Sequence, residues 1–283
     1  MDRTELIDEL TDLLGGRHEA RFIVEDAAGE SGDVTPTVIE AARALARRRL
    51  DGEPLQYLLG HWSFRYLDLL VDERVLIPRP ETEVVVEVAL RELALLDSTA
   101  PTIVDAGTGS GAIALSMATE LSTSHPGGQV WAIDISSDAL AVATKNHERL
   151  SASRTGMLPV TFVHGSWLGA LPPALRGTID VVVSNPPYVA AAEWDALSVE
   201  VHQEPRGALI ADDLADGTPG LADVVTVLRG ALDWLARPGA VVIELAPHQA
   251  AAAAVIASAM GFLHVRVEPD LTTRPRALVG RLS

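Results

Sequence analysis

The residues best suited to chemistry follow the apolar run Ile179–Ser184, which has the pattern of a buried strand. They are Asn185, Pro186, Pro187 and Tyr188. A proline has a carbonyl acceptor but no N–H donor, so this segment and the Asn185 side-chain oxygen offer acceptors without competing donors. Such a site would grip a planar nitrogen that carries two hydrogens. The alternative is a pair of strand-ending prolines followed by a packing tyrosine.

A glycine-rich loop follows an earlier strand-like run and precedes a helix-like run. It consists of Asp105, Ala106, Gly107, Thr108, Gly109, Ser110 and Gly111. Glycines let the backbone turn tightly and approach a ligand just before a helix begins. The spacing also satisfies a dinucleotide-binding pattern, so a nicotinamide or flavin enzyme is one alternative and a plain strand-to-helix turn is another.

Two acidic residues help to choose between these cofactors. Asp134 ends the second strand-like run, where a carboxylate can accept hydrogen bonds from both hydroxyls of an adenosine ribose. This contact fits NAD and S-adenosylmethionine equally well. Asp105 would repel a pyrophosphate, whereas it suits the positive amino and sulfonium groups of S-adenosylmethionine. The charges therefore favour S-adenosylmethionine, a methyl donor.

The third strand-like run leads into Gly165, Ser166 and Trp167, which puts an indole where it can cover an adenine ring. A tryptophan at a strand end also serves ordinary packing. The cofactor contacts expected from the sequence are Asp105, Gly107, Thr108, Gly109, Gly111, Asp134, Ile135, Ser166, Trp167 and Asn185.

An amide nitrogen is a poor nucleophile because its lone pair is delocalised into the carbonyl. The Asn185 oxygen and the Pro186 carbonyl would hold both N–H bonds, aim the nitrogen at the methyl carbon and stabilise the positive charge that develops on it. Tyr188 would stack on the amide plane, and no strong general base is required. We therefore expect Asn185, Pro186, Pro187 and Tyr188 to be the catalytic residues.

Two kinds of periodicity divide the chain into two domains. Apolar residues recur at helical spacing from Thr4 to Leu14 and from Pro36 to Leu50, which predicts a small helical domain over residues 1–77. We expect this domain to dock the protein substrate. The stiff segment Pro78–Pro80 marks the boundary, with a new helix near Thr82. Residues 78–283 alternate strands and helices, which predicts an α/β domain with a mainly parallel sheet. The seven predicted strands are Thr102–Asp105, Val130–Asp134, Val160–His164, Ile179–Ser184, Ala240–Leu245, Leu263–Glu268 and Ala277–Arg281.

Composition limits the classes of function. The 283 residues carry a net charge of −17, which disfavours broad electrostatic binding to nucleic acid and favours a protein or small-molecule substrate. There is no cysteine, and the eight histidines are scattered, so we expect no metal. The chain begins with acids and without an apolar signal-peptide core, and its apolar stretches are shorter than the roughly 20 residues that span a bilayer. We expect a cytoplasmic enzyme without a membrane partner.

Several motifs together resemble the HemK/PrmC family of bacterial methyltransferases, which act on the glutamine of the Gly-Gly-Gln motif in peptide chain release factors. Besides the glycine loop and the Asn185–Tyr188 segment, the motifs are Pro54–Gly60 with Phe64, Val75–Glu83, Asp134–Leu140 and Glu204–Leu209. The resemblance covers most of the chain and implies a Rossmann-like class I methyltransferase domain behind a small helical domain. It also implies that S-adenosylmethionine is the cofactor and a release factor the partner.

Three positions depart from the family pattern, namely Ser166 in place of Asp, Ala246 in place of Gly and Thr273 in place of Gly. They suggest a divergent member or paralogue. Two alternatives remain open from the sequence alone. An N-methyltransferase of RNA or DNA would grip an exocyclic amine in the same way as an amide, and a non-catalytic protein would bind S-adenosylmethionine without turnover.

Overall fold

The computed structural model describes residues 1–154 and 156–283, and its first part is helical. The helices are α1 (Arg3–Leu14), α2 (Arg17–Ala28), α3 (Pro36–Leu50) and α4 (Leu55–Leu59). The two helices predicted from periodicity are confirmed, because Asp2 and Glu5 form a capping box at α1 and Thr35 caps α3 ahead of a first-turn proline. Their apolar faces form a separate small core around Leu6, Leu10, Ile23 and Ala42.

A short antiparallel hairpin follows these helices and was not predicted. Strands β1 (His61–Phe64) and β2 (Leu67–Leu70) are joined through Arg65, which has a positive φ of 50°. The turn contains no Gly, Asn or Asp, so the usual hairpin signal is missing from the sequence. The inner side chains of the hairpin, Phe64, Leu67 and Leu69, are buried in the same core as the main sheet.

The main sheet contains seven strands, and the predicted fold class is confirmed. The strands are β3 (Thr102–Ala106), β4 (Gln129–Asp134), β5 (Val160–His164), β6 (Ile179–Ser184), β9 (Leu235–Glu244), β10 (Leu263–Pro269) and β11 (Pro275–Leu282). A two-residue parallel ladder, β7 (Val189–Ala190) with β8 (Ile210–Ala211), lies outside it. Strand β9 begins at Leu235 and not at the predicted Ala240, because Leu235 also pairs with β6. A register shift separates this pair from the rest of the ladder, and Pro238 and Gly239 within it hide the longer strand in the sequence.

The strand order is β10-β11-β9-β6-β3-β4-β5. Strand β11 runs antiparallel to both of its neighbours, and the other pairings are parallel. The chain moves from β3 outward to β4 and β5 and then returns to β6 on the other side of β3. The carboxyl ends of β3 and β6 therefore flank the point where the order reverses, which is where open α/β sheets bind ligands.

Helices cover both faces of this sheet. They are α5 (Pro80–Ala94), α6 (Ala112–Glu120), α7 (Ser137–Ser153), α8 (Ala222–Trp234) and α9 (Ala250–Ala259). One apolar core contains residues of α5 and α6 with the hairpin, and the other contains residues of α8 and α9. Helix α5 begins at Pro80 rather than near Thr82, since proline is favourable at the first helical position. In the described part of the chain, no helix has the length and apolar character needed to cross a membrane.

Candidate active site

The glycine loop turns sharply between β3 and α6. The backbone N–H groups of Gly107 and Thr108 donate to the Ile133 carbonyl at 2.9 and 2.8 Å, which holds the loop against β4. Gly107 and Gly111 have φ of 85° and 87°, a region that side chains rarely adopt. A Cβ at Gly111 would also lie 2.9 Å from a Leu115 methyl group, so this turn requires glycine for space as well as for conformation.

Asp134 ends β4 beside this loop. Its Oδ2 accepts the Gly109 N–H at 2.8 Å, and its Oδ1 accepts the Ser136 N–H at 2.9 Å. Burial raises the pKa of this carboxyl, although these backbone hydrogen bonds oppose the shift. Each carboxylate oxygen keeps a free lone pair, so Asp134 can still accept ribose hydroxyls. The next residue, Ile135, is 71% exposed and supplies an apolar surface at the rim.

A cavity of about 470 Å³ lies at the carboxyl edge of the sheet, within the size range of small-molecule sites. It is lined by Arg74, Val75, Leu76, Gly107, Gly109, Ile133, Asp134, Ile135, Ser136, Ala139, Gly165, Ser166, Trp167, Asn185, Pro187, Pro205, Gly207, Ala208 and Asp223. A Cβ at Gly107 would lie 3.5 Å from the Trp167 ring and 3.9 Å from the Asn185 carbonyl oxygen. The structure therefore brings the glycine loop, the indole and the asparagine around one space.

Several predicted site residues lie outside the cavity lining, namely Asp105, Thr108, Gly111, Pro186 and Tyr188. Asp105 is fully buried behind the loop, where its Oδ2 accepts from the Thr108 hydroxyl at 2.7 Å and the Ala114 N–H at 3.0 Å. Its Oδ1 is buried without a hydrogen-bond partner. Burial raises the pKa of Asp105 to about 7. The role of Asp105 next to the cofactor stays a prediction, as do the roles of the other site residues.

Asn185 is hydrogen-bonded to a side chain from another part of the sequence. Its Nδ2 donates to the Thr82 Oγ1 at 3.2 Å, and the Thr82 hydroxyl donates to the Glu244 Oε2 at 2.6 Å. The Tyr188 hydroxyl faces the other oxygen of Glu244 at 3.4 Å. Burial raises the pKa of Glu244 to about 7. No role was predicted for Thr82 or Glu244 from the sequence, although Thr82 lies in the Val75–Glu83 motif and Glu244 lies in a predicted strand.

Glu204 was also given no role from the sequence, and its contacts join two walls of the cavity. Its buried carboxylate accepts the Ile77 N–H at 3.0 Å and forms an ion pair with Arg79. The residues just before Ile77 and the residue after Glu204, Pro205, both line the cavity. The only sequence signal for this contact is that both partners lie in segments that resemble the family motifs.

These features fit an adenosine-containing cofactor with a positive centre. Asp134 can hold the ribose, Trp167 and Ile135 offer apolar surfaces for an adenine ring, and the glycine loop allows close approach of the backbone. Asn185 lines the same space, so a group bound to it would lie next to a cofactor bound there. Among residues 1–154 and 156–283, no cluster of three or more His, Asp and Glu side chains is arranged to hold a metal ion.

Residues 97–258 match a family model described as a methyltransferase domain, which is more than half of the chain. The fold, the cavity and this match define the class of protein, an S-adenosylmethionine-dependent methyltransferase.

Named relatives narrow the class to one family. The chain is 41% identical to the release factor glutamine methyltransferase of Burkholderia pseudomallei, over 84% of this chain and 79% of that protein. It is 38% identical to the enzyme of the same name from Bordetella pertussis, over 99% of this chain and 100% of that protein. The chain belongs to the family of release factor glutamine methyltransferases. The resemblance inferred from its motifs is thus confirmed.

Solved structures share the fold at low sequence identity. The METTL16 catalytic domain in complex with a MAT2A 3′UTR hairpin has a TM-score of 0.54 at 16% identity, covering 90% of this chain and 86% of that chain. The N-terminal domain of human METTL16 in complex with SAH has a TM-score of 0.51 at 18% identity, covering 86% and 82%. At such identities the likeness concerns the fold alone.

Proposed function

We propose that this protein transfers a methyl group from S-adenosylmethionine to the side-chain amide nitrogen of the glutamine in the Gly-Gly-Gln motif of a peptide chain release factor. The observation that carries the proposal is the position of Asn185, which lines the cofactor cavity while its amide group is hydrogen-bonded to Thr82. The names of the relatives, whose matches cover 84% and 99% of this chain, support the choice of substrate.

The chemical difficulty is the weak nucleophilicity of the amide nitrogen. When bound, the cofactor supplies a methyl group on a positively charged sulfur, which leaves as a neutral thioether. The Asn185 side-chain oxygen and the Pro186 carbonyl accept hydrogen bonds from the two N–H groups of the substrate amide. They hold its nitrogen in line with the methyl carbon. Positive charge that develops on the nitrogen is stabilised by these two acceptors, and one N–H proton is then lost to water.

The backbone at Tyr188 is held in place by the side-chain amide of Gln249. The Tyr188 carbonyl accepts the Gln249 Nε2 at 2.9 Å, and the same amide donates to the Pro219 carbonyl at 3.1 Å. Burial raises the pKa of the Tyr188 hydroxyl above its usual value, so the ring stays neutral at physiological pH. A neutral, fixed ring can stack on the substrate amide without taking a proton.

The net charge of −17 favours a protein substrate over nucleic acid, since phosphates would be repelled. A release factor presents its glutamine in an exposed glycine loop, which can enter a narrow cavity at low steric cost. Translation termination takes place in the cytoplasm, and we place the enzyme there.

The test is mass spectrometry of intact release factors after incubation with the protein and an isotope-labelled methyl donor. The expected result is one added methyl group on the glutamine of Gly-Gly-Gln, and none on a release factor in which that glutamine is replaced by asparagine. Parallel reactions contain tRNA, rRNA and duplex DNA. Methyl transfer to one of these nucleic acids, with the release factor left unmodified, would refute the proposal.

A further inference from the structure

We propose that Thr82 and Glu244 are positioning residues, which orient the side-chain amide of Asn185 so that its oxygen, and not its NH₂ group, faces the substrate. The inference rests on the proposed function, because it concerns the acceptor that grips the substrate nitrogen.

The three side chains come from distant parts of the chain and meet at one edge of the sheet. Thr82 lies in the first turn of α5, Glu244 is the last residue of β9, and Asn185 directly follows β6. Thr82 is 3% exposed and Glu244 is fully buried, so water does not compete for their hydrogen bonds. Polar groups buried in this way are expected to have partners, and here the partners are each other.

The order of donors and acceptors fixes the direction of this chain of hydrogen bonds. In its ionised form, which predominates above a pH of about 7, the Glu244 carboxylate only accepts, so the single hydroxyl hydrogen of Thr82 is committed to it at 2.6 Å. The Thr82 oxygen is then left with lone pairs alone. Asn185 must present its NH₂ group to these lone pairs, at 3.2 Å, which turns its oxygen away from Thr82. The flipped amide would place two acceptor oxygens against each other.

The orientation matters because an amide presents opposite chemistry at its two ends. With its oxygen toward the cavity, Asn185 accepts a hydrogen bond from an N–H group of the substrate. With its NH₂ group toward the cavity, it would oppose another NH₂ group and could stabilise no positive charge. Without a carboxylate partner, the Thr82 hydroxyl could either donate to the Asn185 oxygen or accept from its NH₂ group. Thr82 alone would therefore not select one orientation of the amide. Glu244 is therefore as necessary as Thr82.

The other groups around Glu244 do not offer an equivalent partner to Asn185. Arg276 on β11 and Glu81 on α5 are the charged groups that act on Glu244, and Tyr188 is its second hydrogen-bonding neighbour. Arg276 donates to the Leu245 carbonyl at 3.3 Å. Thr82 is the side chain that connects Glu244 to Asn185 in this cluster.

The first test compares Thr82→Val, which keeps the shape but removes the hydroxyl, with Thr82→Ser, which keeps the hydroxyl. Thr82→Val should lower kcat for release factor methylation by about 10- to 100-fold, since one hydrogen bond in a buried site orients the acceptor. Its affinity for S-adenosylmethionine should stay within about 2-fold, and Thr82→Ser should restore kcat to within about 3-fold of the original. Equal loss in both variants, or full activity of Thr82→Val, would overturn the inference.

A double-mutant cycle separates orientation from general stability. If Thr82 acts through Asn185, then Thr82→Val in an Asn185→Ala background should produce no further loss, so the two effects should be strongly non-additive. Additive losses would show that Thr82 acts elsewhere and would contradict the inference.

The last measurement does not depend on activity. In the ¹⁵N-labelled protein, the side-chain NH₂ signals of Asn185 should show slow hydrogen exchange that Thr82→Val removes and Thr82→Ser keeps. Unprotected NH₂ signals in the unsubstituted protein would refute the positioning role. Protected signals in a protein that leaves release factors unmodified would refute the proposed function instead, so the two failures can be told apart.

Discussion

The carboxylate of Asp134 accepts a 2.8 Å hydrogen bond from the backbone N–H of Gly109, so the acid at the end of β4 directly shapes the glycine loop after β3. Both residues also line the cavity. One side chain therefore anchors the loop and lines the cavity, and its loss should affect cofactor binding in both ways.

We predict that Asp134→Ala weakens S-adenosylmethionine binding by about 1–3 kcal/mol, because ribose hydrogen bonds are lost. Asp134→Asn, which keeps one acceptor oxygen, should lose less. Isothermal titration calorimetry measures both affinities, and NAD serves as the competing ligand. Tight binding of NAD with no heat from S-adenosylmethionine would contradict the cofactor assignment.

The buried carboxyl of Asp105 should link cofactor binding to pH. Burial raises its pKa to about 7, so a substantial fraction is protonated below that pH. A cationic ligand favours the ionised form and lowers the pKa in the complex. Affinity for S-adenosylmethionine should therefore rise as the pH increases toward 7, with release of a fraction of a proton on binding at pH 6.5.

Calorimetry in buffers of different ionisation enthalpy measures that proton release directly. Asp105→Asn is the matched control, because its side-chain oxygen can still accept from Thr108 and Ala114 while the titrating group is gone. The same proton release in this variant would assign it to another group, for example Glu244, whose pKa burial also raises to about 7.

The sequence predicted the sheet, the glycine loop and Asp134 because local signals specify them. Apolar runs bounded by Gly, Pro and Asp have a meaning that does not depend on the rest of the chain. Thr82 and Glu244 could not be found in this way, since they are 162 positions apart and pair only after folding. Strands β1 and β2 were not predicted, because each contains only four residues and their turn lacks glycine.

Asn185→Ala should reduce methyl transfer by about 100-fold or more while cofactor affinity changes little, because the main role proposed for this residue is to grip the acceptor amide. Asn185→Asp should also be nearly inactive. Single-turnover assays with release factor and labelled donor measure the rate, and calorimetry measures the affinity. Full turnover by Asn185→Ala would disprove the amide clamp whatever the family of the chain.

Stability should depend on Glu92, a fully buried acid on α5. Burial alone would raise its pKa, but Arg281 and Arg266 lower it below its usual value. A lowered pKa means stabilisation that is present above the unfolded pKa of about 4.5 and is lost as the pH falls below it. We predict that Glu92→Gln lowers the free energy of unfolding by about 2 kcal/mol at pH 7, the contribution expected of hydrogen bonds to a charged group whose partners are partly exposed.

Urea denaturation at pH 7 and at pH 4 checks this prediction, since the difference between Glu92→Gln and the original protein should shrink at the lower pH. Asp233→Asn is the control, because Asp233 and Arg176 form an exposed pair that should contribute less than about 1 kcal/mol. A difference for Glu92→Gln that is the same at both pH values would show that its charge is not the cause.

The hairpin β1–β2 is connected to the glycine loop through the side chain of Asn146. Asn146 on α7 is fully buried, and its Oδ1 accepts the Leu70 N–H at 2.7 Å while its Nδ2 donates to the Leu70 carbonyl at 3.0 Å. The same Nδ2 donates to the Ser110 carbonyl in the glycine loop at 2.9 Å. Removal of β2 would leave the Oδ1 and one N–H of this buried amide without these partners, next to the glycine loop.

Two truncations should therefore behave differently. A chain that begins at Pro78 loses the hairpin and the buried Phe64, Leu67 and Leu69, so we expect a lower melting temperature and weaker cofactor binding. A chain that begins at Pro54 lacks α1 to α3 but keeps the hairpin, so it should bind S-adenosylmethionine normally.

If the first helices dock the substrate, KM for the release factor should rise at least 10-fold in the chain that begins at Pro54, because docking contributes binding energy that a short Gly-Gly-Gln peptide does not use. The peptide is the control, and its methylation rate should be the same with and without the helices. Circular dichroism confirms folding first, and an unchanged KM for the intact release factor would show that docking occurs elsewhere.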